Sequence, residues 1–211
     1  MTITAEDMRR FLMLFATNVS EQREELTRLD SAIGDGDHGI NMDRGMKAVL
    51  EVSPDIDGSE AGTVLKQAGM RLVSTVGGAS GPLYGTFFLR MGTALGDATE
   101  VSRAQFVAAL RAGLEGVAAR GKAQPDDKTM VDAMTPAVEA LESADDSIDW
   151  VEALTRAADA AATGRDRVTP LVARKGRASY LGERAAGHQD PGATSTALLF
   201  ATLRDTFIDQ A

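Results

Sequence analysis

Apolar residues recur at steps of three and four along most of the 211-residue chain, and this spacing constrains its fold more than any other feature. Such a period places apolar side chains on one face of an α-helix, whereas a half-buried strand alternates apolar and polar residues. No convincing two-residue alternation is present, and β-branched residues do not cluster. The pattern predicts an all-α protein, with helices around residues 8–29, 41–52, 59–74, 106–117, 130–141, 150–161 and 198–207. Ser53-Pro54 is predicted to stop the second of these helices, and Ser59 to start the third. Ser102 and Gln105 have the spacing of a capping box ahead of the fourth of these helices.

Length and composition exclude several classes of protein. The length suits one domain, which we expect to cover residues 1–211 without a linker. The absence of cysteine excludes thiol catalysis, iron–sulfur clusters and cysteine-ligated zinc. With 31 acidic and 22 basic residues the net charge is −9, which disfavours binding to nucleic acid or to an anionic membrane. The N-terminus lacks the order of a signal peptide, and no stretch approaches the roughly 20 apolar residues that span a bilayer. We therefore expect a soluble cytoplasmic protein.

The segment LDSAIGDGDHGIN carries three carboxylates at close spacing. Asp30, Asp35 and Asp37 fall within eight residues, and glycines that permit a tight backbone lie among them. Crowded carboxylates repel one another unless a cation compensates, and hard oxygen ligands suit Mg²⁺ or Ca²⁺. An EF-hand fails, because counting from Asp35 it needs glycine at Ile40 and glutamate at Met46. An acidic loop with helix caps is the structural alternative. Since Mg²⁺ usually shares its coordination with substrate phosphates, the triad indicates a nucleotide site.

A second unusual segment, GGASGPLYG at residues 77–85, is rich in small residues and precedes a helix. Small residues there let backbone N–H groups approach phosphate oxygens, assisted by the positive end of the helix. The segment matches neither a Walker A loop nor GxGxxG. A tight turn between two helices would explain it about as well.

The third segment is basic, with six bases and two acids over residues 165–184, a net +4 in a chain of net −9. A solvated basic loop is the usual explanation of such a run. Beside a carboxylate–metal site, however, bases are what polyphosphate binding requires. The bases are Arg165, Arg167, Arg174, Lys175, Arg177 and Arg184.

Together the three segments favour a converging nucleotide site of an unusual kinase type, because neither a Walker A loop nor a protein-kinase motif is present. The motifs LDSAIGDGDHGINMDRG, GGASGPLYGTFF, DDKTMVDAM with TPAVEA, and ARKGRASYLGERAAGHQDPGATS resemble the nucleotide-binding L subunit of dihydroxyacetone kinase. They span residues 29–196, and the chain length resembles the stand-alone subunit rather than the single-chain enzyme. The resemblance implies a closed barrel of eight antiparallel helices with the nucleotide and two Mg²⁺ at one end.

The resemblance also implies roles for individual residues. Asp30, Asp35 and Asp37 would hold the two Mg²⁺, and with Arg177 they would form the catalytic set. Thr129 and His38 could instead cap helices, and Met130 could belong to the core. The ADP- or ATP-binding residues implied by the resemblance are His38, Asn41, Gly78, Ala79, Ser80, Gly121, Thr129, Met130, Arg177, Asp190, Pro191 and Gly192.

In the family that this chain resembles, a histidine of a separate K subunit holds dihydroxyacetone covalently, and the L subunit presents the phosphoryl group. We therefore expect a K subunit as partner, and a monomer that docks transiently. The resemblance leaves two phosphoryl donors open. ADP could be a prosthetic group rephosphorylated by a phosphotransferase-system protein (the M subunit), or ATP could exchange freely. A related ketose such as erythrulose, and a non-catalytic nucleotide-dependent regulatory module, are the alternatives.

Overall fold

The computed structural model describes residues 2–52, 60–145 and 147–208. Extended pairing within these ranges is limited to one bridge between Ile3 and Val101. The prediction of an all-α protein is confirmed. None of the helices described is long and apolar enough to cross a membrane. The helical elements are α1 (Ala5–Glu21), α2 (Arg23–Ile33), α3 (His38–Val52), α4 (Ala61–Thr75), α5 (Ser80–Leu95), α6 (Arg103–Gly121), α7 (Met130–Glu142), α8 (Trp150–Arg167), a 3-10 segment (Arg177–Ala185) and α9 (Pro191–Ile208).

Eight of the helices close into a ring. Helix α1 packs against α3, each helix from α3 to α9 packs against the next, and α9 returns to α1. Helix α2 stands outside this ring, against α3, α9 and the 3-10 segment. The barrel of eight helices implied by the family resemblance is therefore confirmed.

The helix starts follow from local sequence. The box predicted at Ser102 and Gln105 is present: the Gln105 N–H donates to Ser102 Oγ (3.3 Å), and the Ser102 N–H donates to Gln105 Oε1 (2.9 Å). Thr4 and Thr129 lead two further boxes, at α1 and α7. Each box satisfies N–H groups that a helix start leaves without intrahelical partners.

The first predicted helix is wrong in its extent, because the structure divides it into α1 and α2. The break is at Gln22 (φ −91°, ψ 5°), whose N–H still donates to Asn18 O at 3.0 Å. Since the backbone deviates only at this residue, the apolar spacing continues across it and does not reveal the break. The predicted stop of the next helix at Ser53-Pro54, and the predicted start of the one after at Ser59, lie outside the described residues.

The inside of the ring is packed with aromatic and aliphatic side chains. Phe87 and Phe88 meet edge to face at 5.2 Å between ring centroids, and Trp150 packs edge to face with both Phe106 and Phe207 at 6.3 Å. These rings belong to one continuous core that extends through the helices of the ring. The core fixes the positions of the helices relative to one another. It therefore also fixes the links, that is, the segments that connect one helix to the next.

Helices α4 and α5 cross in close contact through glycines. A Cβ added at any of Gly62, Gly69, Gly85 or Gly92 would lie 2.5–2.8 Å from a carbonyl oxygen of the facing helix. Gly85 is thus a packing residue inside α5 rather than part of a phosphate loop, and the small-residue segment of residues 77–85 divides into a turn and a helix face.

We expect Gly69→Ala to lower the free energy of unfolding by about 1–3 kcal/mol, because overpacking a close contact costs more than the gain in helix propensity returns. The added Cβ would lie 2.7 Å from Gly85 O and 2.8 Å from Leu89 N, which are backbone atoms. Urea unfolding followed by circular dichroism measures the change. Gly121→Ala is the matched control, since its Cβ would lie at an ordinary 3.5 Å from Leu83. Equal stabilities for the two variants would contradict the proposed crossing.

Candidate functional site

Four helices begin at one pocket. His38, Ser80, Met130 and Pro191 are the first residues of α3, α5, α7 and α9, and all four line a single cavity of about 360 Å³. A helix start carries a partial positive charge because its first N–H groups point outward without intrahelical partners. Four such starts around one cavity favour an anion there.

The structure brings together nearly all of the residues predicted to form the site. Asn41 is the exception: it is buried behind the pocket wall and accepts a hydrogen bond from Arg44 at 2.8 Å. The sequence-predicted residues that line the pocket are Asp30, Asp35, Asp37, His38, Gly78, Ala79, Ser80, Gly121, Thr129, Met130, Arg177, Asp190, Pro191 and Gly192.

The three aspartates meet at one end of the pocket. Asp30, Asp35 and Asp37 each offer a carboxylate oxygen, and these oxygens lie within 4.8 Å of one another. Asp30 Oδ2 also accepts the N–H of Asp37 (2.8 Å) and of His38 (3.1 Å), so it caps α3. A Cβ at Gly34 would lie 2.0 Å from Asp30 Oδ1, which explains the glycine at that position. A set of hard carboxylate oxygens fits Mg²⁺ or Ca²⁺.

Helix α5 presents its backbone to the pocket without a capping side chain. Thr129 caps α7, and Asp190 accepts the Ala193 N–H at 2.7 Å to cap α9, but α5 begins after Ala79 with no side-chain cap. Gly78 precedes it with a φ of +67°, a conformation that glycine adopts without strain. The start of α5 is therefore the place in this pocket where backbone donors remain for a ligand.

The basic segment contributes less to the pocket than its charge suggests. Arg165 and Arg167 belong to α8 and pair with Asp166 and Asp126. Of the six bases only Lys175 and Arg177 line the pocket. Within the basic run, therefore, only these two side chains are placed to bind a phosphate in the pocket.

Arg177 connects the basic segment to the acidic triad. Its guanidinium nitrogen lies 2.9 Å from Asp35 Oδ2. Because Arg177 is exposed and lines the pocket, the segment places a positive charge beside the carboxylates, on the side of the pocket that is open to solvent.

Lys128 has a structural role that no sequence pattern indicated. It is 1% exposed, and its ammonium donates to three carbonyl oxygens: Thr169 at 2.9 Å, Leu171 at 3.0 Å and Ala185 at 2.6 Å. Burial lowers its pKa, while nearby Asp190 opposes this shift. Lys128 thus fastens both ends of the segment that carries Arg177.

Three buried titratable groups line the pocket close to the helix starts. Burial raises the pKa of Asp190 to about 7, although the Ala193 N–H and Lys128 act in the opposite direction. Burial also raises the pKa of Tyr84 to about 12 and lowers that of His38 to about 4. At neutral pH Tyr84 and His38 are both uncharged, so the pocket wall they form is polar without a net charge.

These features define an all-α protein with a candidate metal and anion site at one end of a helical ring. The chain belongs to the DAK2 domain family, whose sequence pattern matches residues 32–205. It is 46% identical over 185 residues to the PEP-dependent dihydroxyacetone kinase, ADP-binding subunit DhaL, of Escherichia coli (strain K12), covering 87% of this chain and 88% of that one. It is 45% identical over 197 residues to the ADP-binding subunit DhaL of PEP-dependent dihydroxyacetone kinase 1 of Listeria innocua, covering 93% and 94%. The family resemblance found in the motifs is confirmed.

A solved structure shares the fold. The dihydroxyacetone kinase of C. freundii, in complex with AMP-PNP and Mg²⁺, matches with a TM-score of 0.73 and 28% identity. The match covers 94% of this chain and 33% of that one, so this chain spans about a third of that kinase.

We expect Lys128→Met to speed hydrogen exchange across residues 169–187, because one buried and two partly buried carbonyls lose their donor, at about 1–3 kcal/mol for the buried one. Exchange at the Gly187 N–H, which donates to Thr169 O at 2.9 Å, reports the opening directly. Lys175→Met is the control, since Lys175 lies on the same segment and has no hydrogen bond within the described part of the chain. Similar exchange in the two variants would show that Lys128 does not fasten the segment.

Proposed function

We propose that this chain is the ADP- or ATP-binding subunit of a phosphoenolpyruvate-dependent dihydroxyacetone kinase. In this proposal a phosphoryl group passes from its Mg-bound nucleotide to dihydroxyacetone on a separate K subunit. The observation that carries it is the convergence of four helix starts, three carboxylates and Arg177 on one pocket. The similarity to relatives named as ADP-binding subunits of dihydroxyacetone kinase supports a K subunit as partner.

Asp30, Asp35 and Asp37 would hold two Mg²⁺. When bound, the ions neutralise phosphate charge and favour phosphoryl transfer. The proposed metal site is preorganised, because two backbone N–H groups hold the Asp30 carboxylate and Arg177 pairs with Asp35. A carboxylate fixed in this way needs little reorganisation to accept an ion.

Residues around the rest of the pocket would bind the nucleotide. Gly78, Ala79 and Ser80 would donate to phosphate oxygens, because the start of α5 has no side-chain cap. Arg177 would add a charged donor at the open side. The nucleoside end would lie against Gly121, Thr129 and Met130 on one side and Asp190, Pro191 and Gly192 on the other.

The chain would contribute binding, orientation and charge rather than a nucleophile. His38 is a poor general base here, because it is buried and both ring nitrogens contact hydroxyl groups. Phosphoryl transfer depends mainly on positioning and charge stabilisation, so the proposed division of labour leaves activation of the acceptor hydroxyl to the K subunit.

The partner would approach the open side of the pocket. The segment that covers the triad presents Tyr180, which is 83% exposed, together with exposed Arg174 and Arg184. An exposed aromatic ring among arginines is typical of protein interfaces. We assign the same face to the phosphotransferase-system donor, the M subunit, that would rephosphorylate bound ADP.

The direct test is reconstitution of this chain with a dihydroxyacetone kinase K subunit, dihydroxyacetone and Mg²⁺. One reaction receives phosphoenolpyruvate with the phosphotransferase-system proteins, and a second receives ATP. Dihydroxyacetone phosphate formed mainly in the first reaction is the expected result. Formation only with ATP would contradict the phosphoenolpyruvate dependence, and no product in either would contradict the proposed function.

We expect Asp35→Asn and Asp37→Asn each to lower turnover by at least about 100-fold and to weaken ADP retention, because each removes a charged ligand of the proposed ions. Product formation in the reconstituted system and ADP content after gel filtration are the measurements. Asp159→Asn, at an exposed position on α8, removes the same charge at a residue that does not line the pocket and serves as control. Unchanged turnover in either triad variant would overturn the metal assignment.

A further inference from the structure

A chain of polar side chains runs from the pocket wall into the interior of the ring. His38 Nδ1 lies 2.9 Å from Ser80 Oγ, and His38 Nε2 lies 2.9 Å from Ser195 Oγ. Tyr84 Oη follows at 2.8 Å from Ser195 Oγ and 3.2 Å from Thr196 Oγ1. His38, Tyr84, Ser195 and Thr196 are all buried, whereas Ser80 is partly exposed at the pocket.

The number of protons limits how this chain can be arranged. The backbone oxygen of Gly192 is a further acceptor, 2.8 Å from Thr196 Oγ1 and 3.1 Å from Ser195 Oγ. Each hydroxyl has one proton, and the imidazole also has one, because the buried ring has hydroxyl groups rather than carboxylates at its two nitrogens and a buried charge needs a charged partner. Thr196 donates to Gly192 O, the shorter of that oxygen's two contacts. The Tyr84 hydroxyl donates to Ser195 Oγ, its nearer neighbour, or accepts from it and donates to Thr196 Oγ1.

Two arrangements then remain, and they differ at Ser80. If Ser195 donates to Gly192 O or to Tyr84, His38 carries its proton on Nε2, and Ser80 must donate inward to Nδ1. The hydroxyl of Ser80 then presents only lone pairs to the pocket. If Ser195 donates to His38 Nε2 instead, the Nδ1–H donates to Ser80, and the proton of Ser80 is free to point into the pocket.

An anion in the pocket selects between the two arrangements. The first repels a phosphate oxygen beside Ser80, whereas the second gives it a charge-assisted hydrogen bond. The second gives up only the 3.1 Å contact of Ser195 with Gly192 O, an acceptor that Thr196 already satisfies.

We propose that Ser195 and Tyr84 are positioning residues that hold His38 as the Nδ1–H tautomer in the nucleotide-loaded protein, so that Ser80 donates its hydroxyl proton to a phosphate oxygen. This inference rests on the phosphate site of the proposed function but not on the K subunit, the ketose or the phosphoryl donor. Neither Ser195 nor Tyr84 was predicted from the sequence. In this proposal, both affect the hydrogen bond between Ser80 and the phosphate.

Nitrogen NMR of the full-length ¹⁵N-labelled chain, saturated with ADP and Mg²⁺, tests the tautomer directly. The chain has two histidines, and exposed His188 serves as an internal reference. The expected spectrum shows His38 protonated at Nδ1 and unprotonated at Nε2. Protonation at Nε2 with ADP bound would overturn this inference alone. Failure of ADP to bind at all, seen as unchanged amide signals at the start of α5, would overturn the proposed function together with it.

Ser195→Ala removes the donor to Nε2, and we expect ADP affinity to fall about tenfold with His38 redistributed between its tautomers. Tyr84→Phe should change both in the same direction but less, because Ser195 keeps its own proton. Thr206→Val is the matched control. Thr206 is also a buried hydroxyl on α9, but it bonds Thr202 O of its own helix at 2.8 Å. A fall in melting temperature for Ser195→Ala, with ADP affinity and tautomer unchanged, would reduce Ser195 to a packing residue and contradict the proposal.

Discussion

The meeting of four helix starts with three carboxylates at one pocket is the constraint on which the rest of this structure depends. Positive helix ends attract anions, while carboxylate oxygens within 4.8 Å of one another repel each other. Contacts within the chain partly satisfy both the positive helix starts and the carboxylates. The N–H groups of Asp37 and His38 donate to Asp30, and Arg177 pairs with Asp35. The uncapped start of α5 remains for a ligand, so metal and phosphate together would complete the charge balance of this end of the ring.

The packing of the ring explains why the pocket forms where it does. Consecutive helices are neighbours, so the links before α3, α5, α7 and α9 meet at the same end. Glycine crossings bring α4 and α5 into close contact and thereby fix the link between them. The long link before α9 is the one that needs separate support, and Lys128 supplies it by binding carbonyls near both of its ends.

Local patterns made much of this predictable, whereas contacts over long distances in sequence did not. Helical spacing predicted the fold class, and the aspartates and glycines of residues 30–37 predicted the carboxylate cluster. Each of these features depends on residues that are close in sequence. The break at Gln22 left no mark in the apolar spacing. Lys128 binds backbone carbonyls 41–57 residues away, which any sequence would offer, and His38 meets Ser195 across 157 residues. Asn41 shares a face of α3 with His38, so local spacing predicts both at the pocket; its side chain instead lies beside Gly78 and accepts from Arg44.

The most direct test of the central idea, that one pocket holds a nucleotide through metal ions, is native mass spectrometry of the purified chain before and after incubation with ATP and Mg²⁺. We predict a mass increase equal to one adenine nucleotide plus Mg²⁺, which is lost when a chelator removes the metal. ADP that copurifies and does not exchange would further identify it as a prosthetic group. A chain that binds no nucleotide, or binds it equally well in the presence of the chelator, would contradict the account.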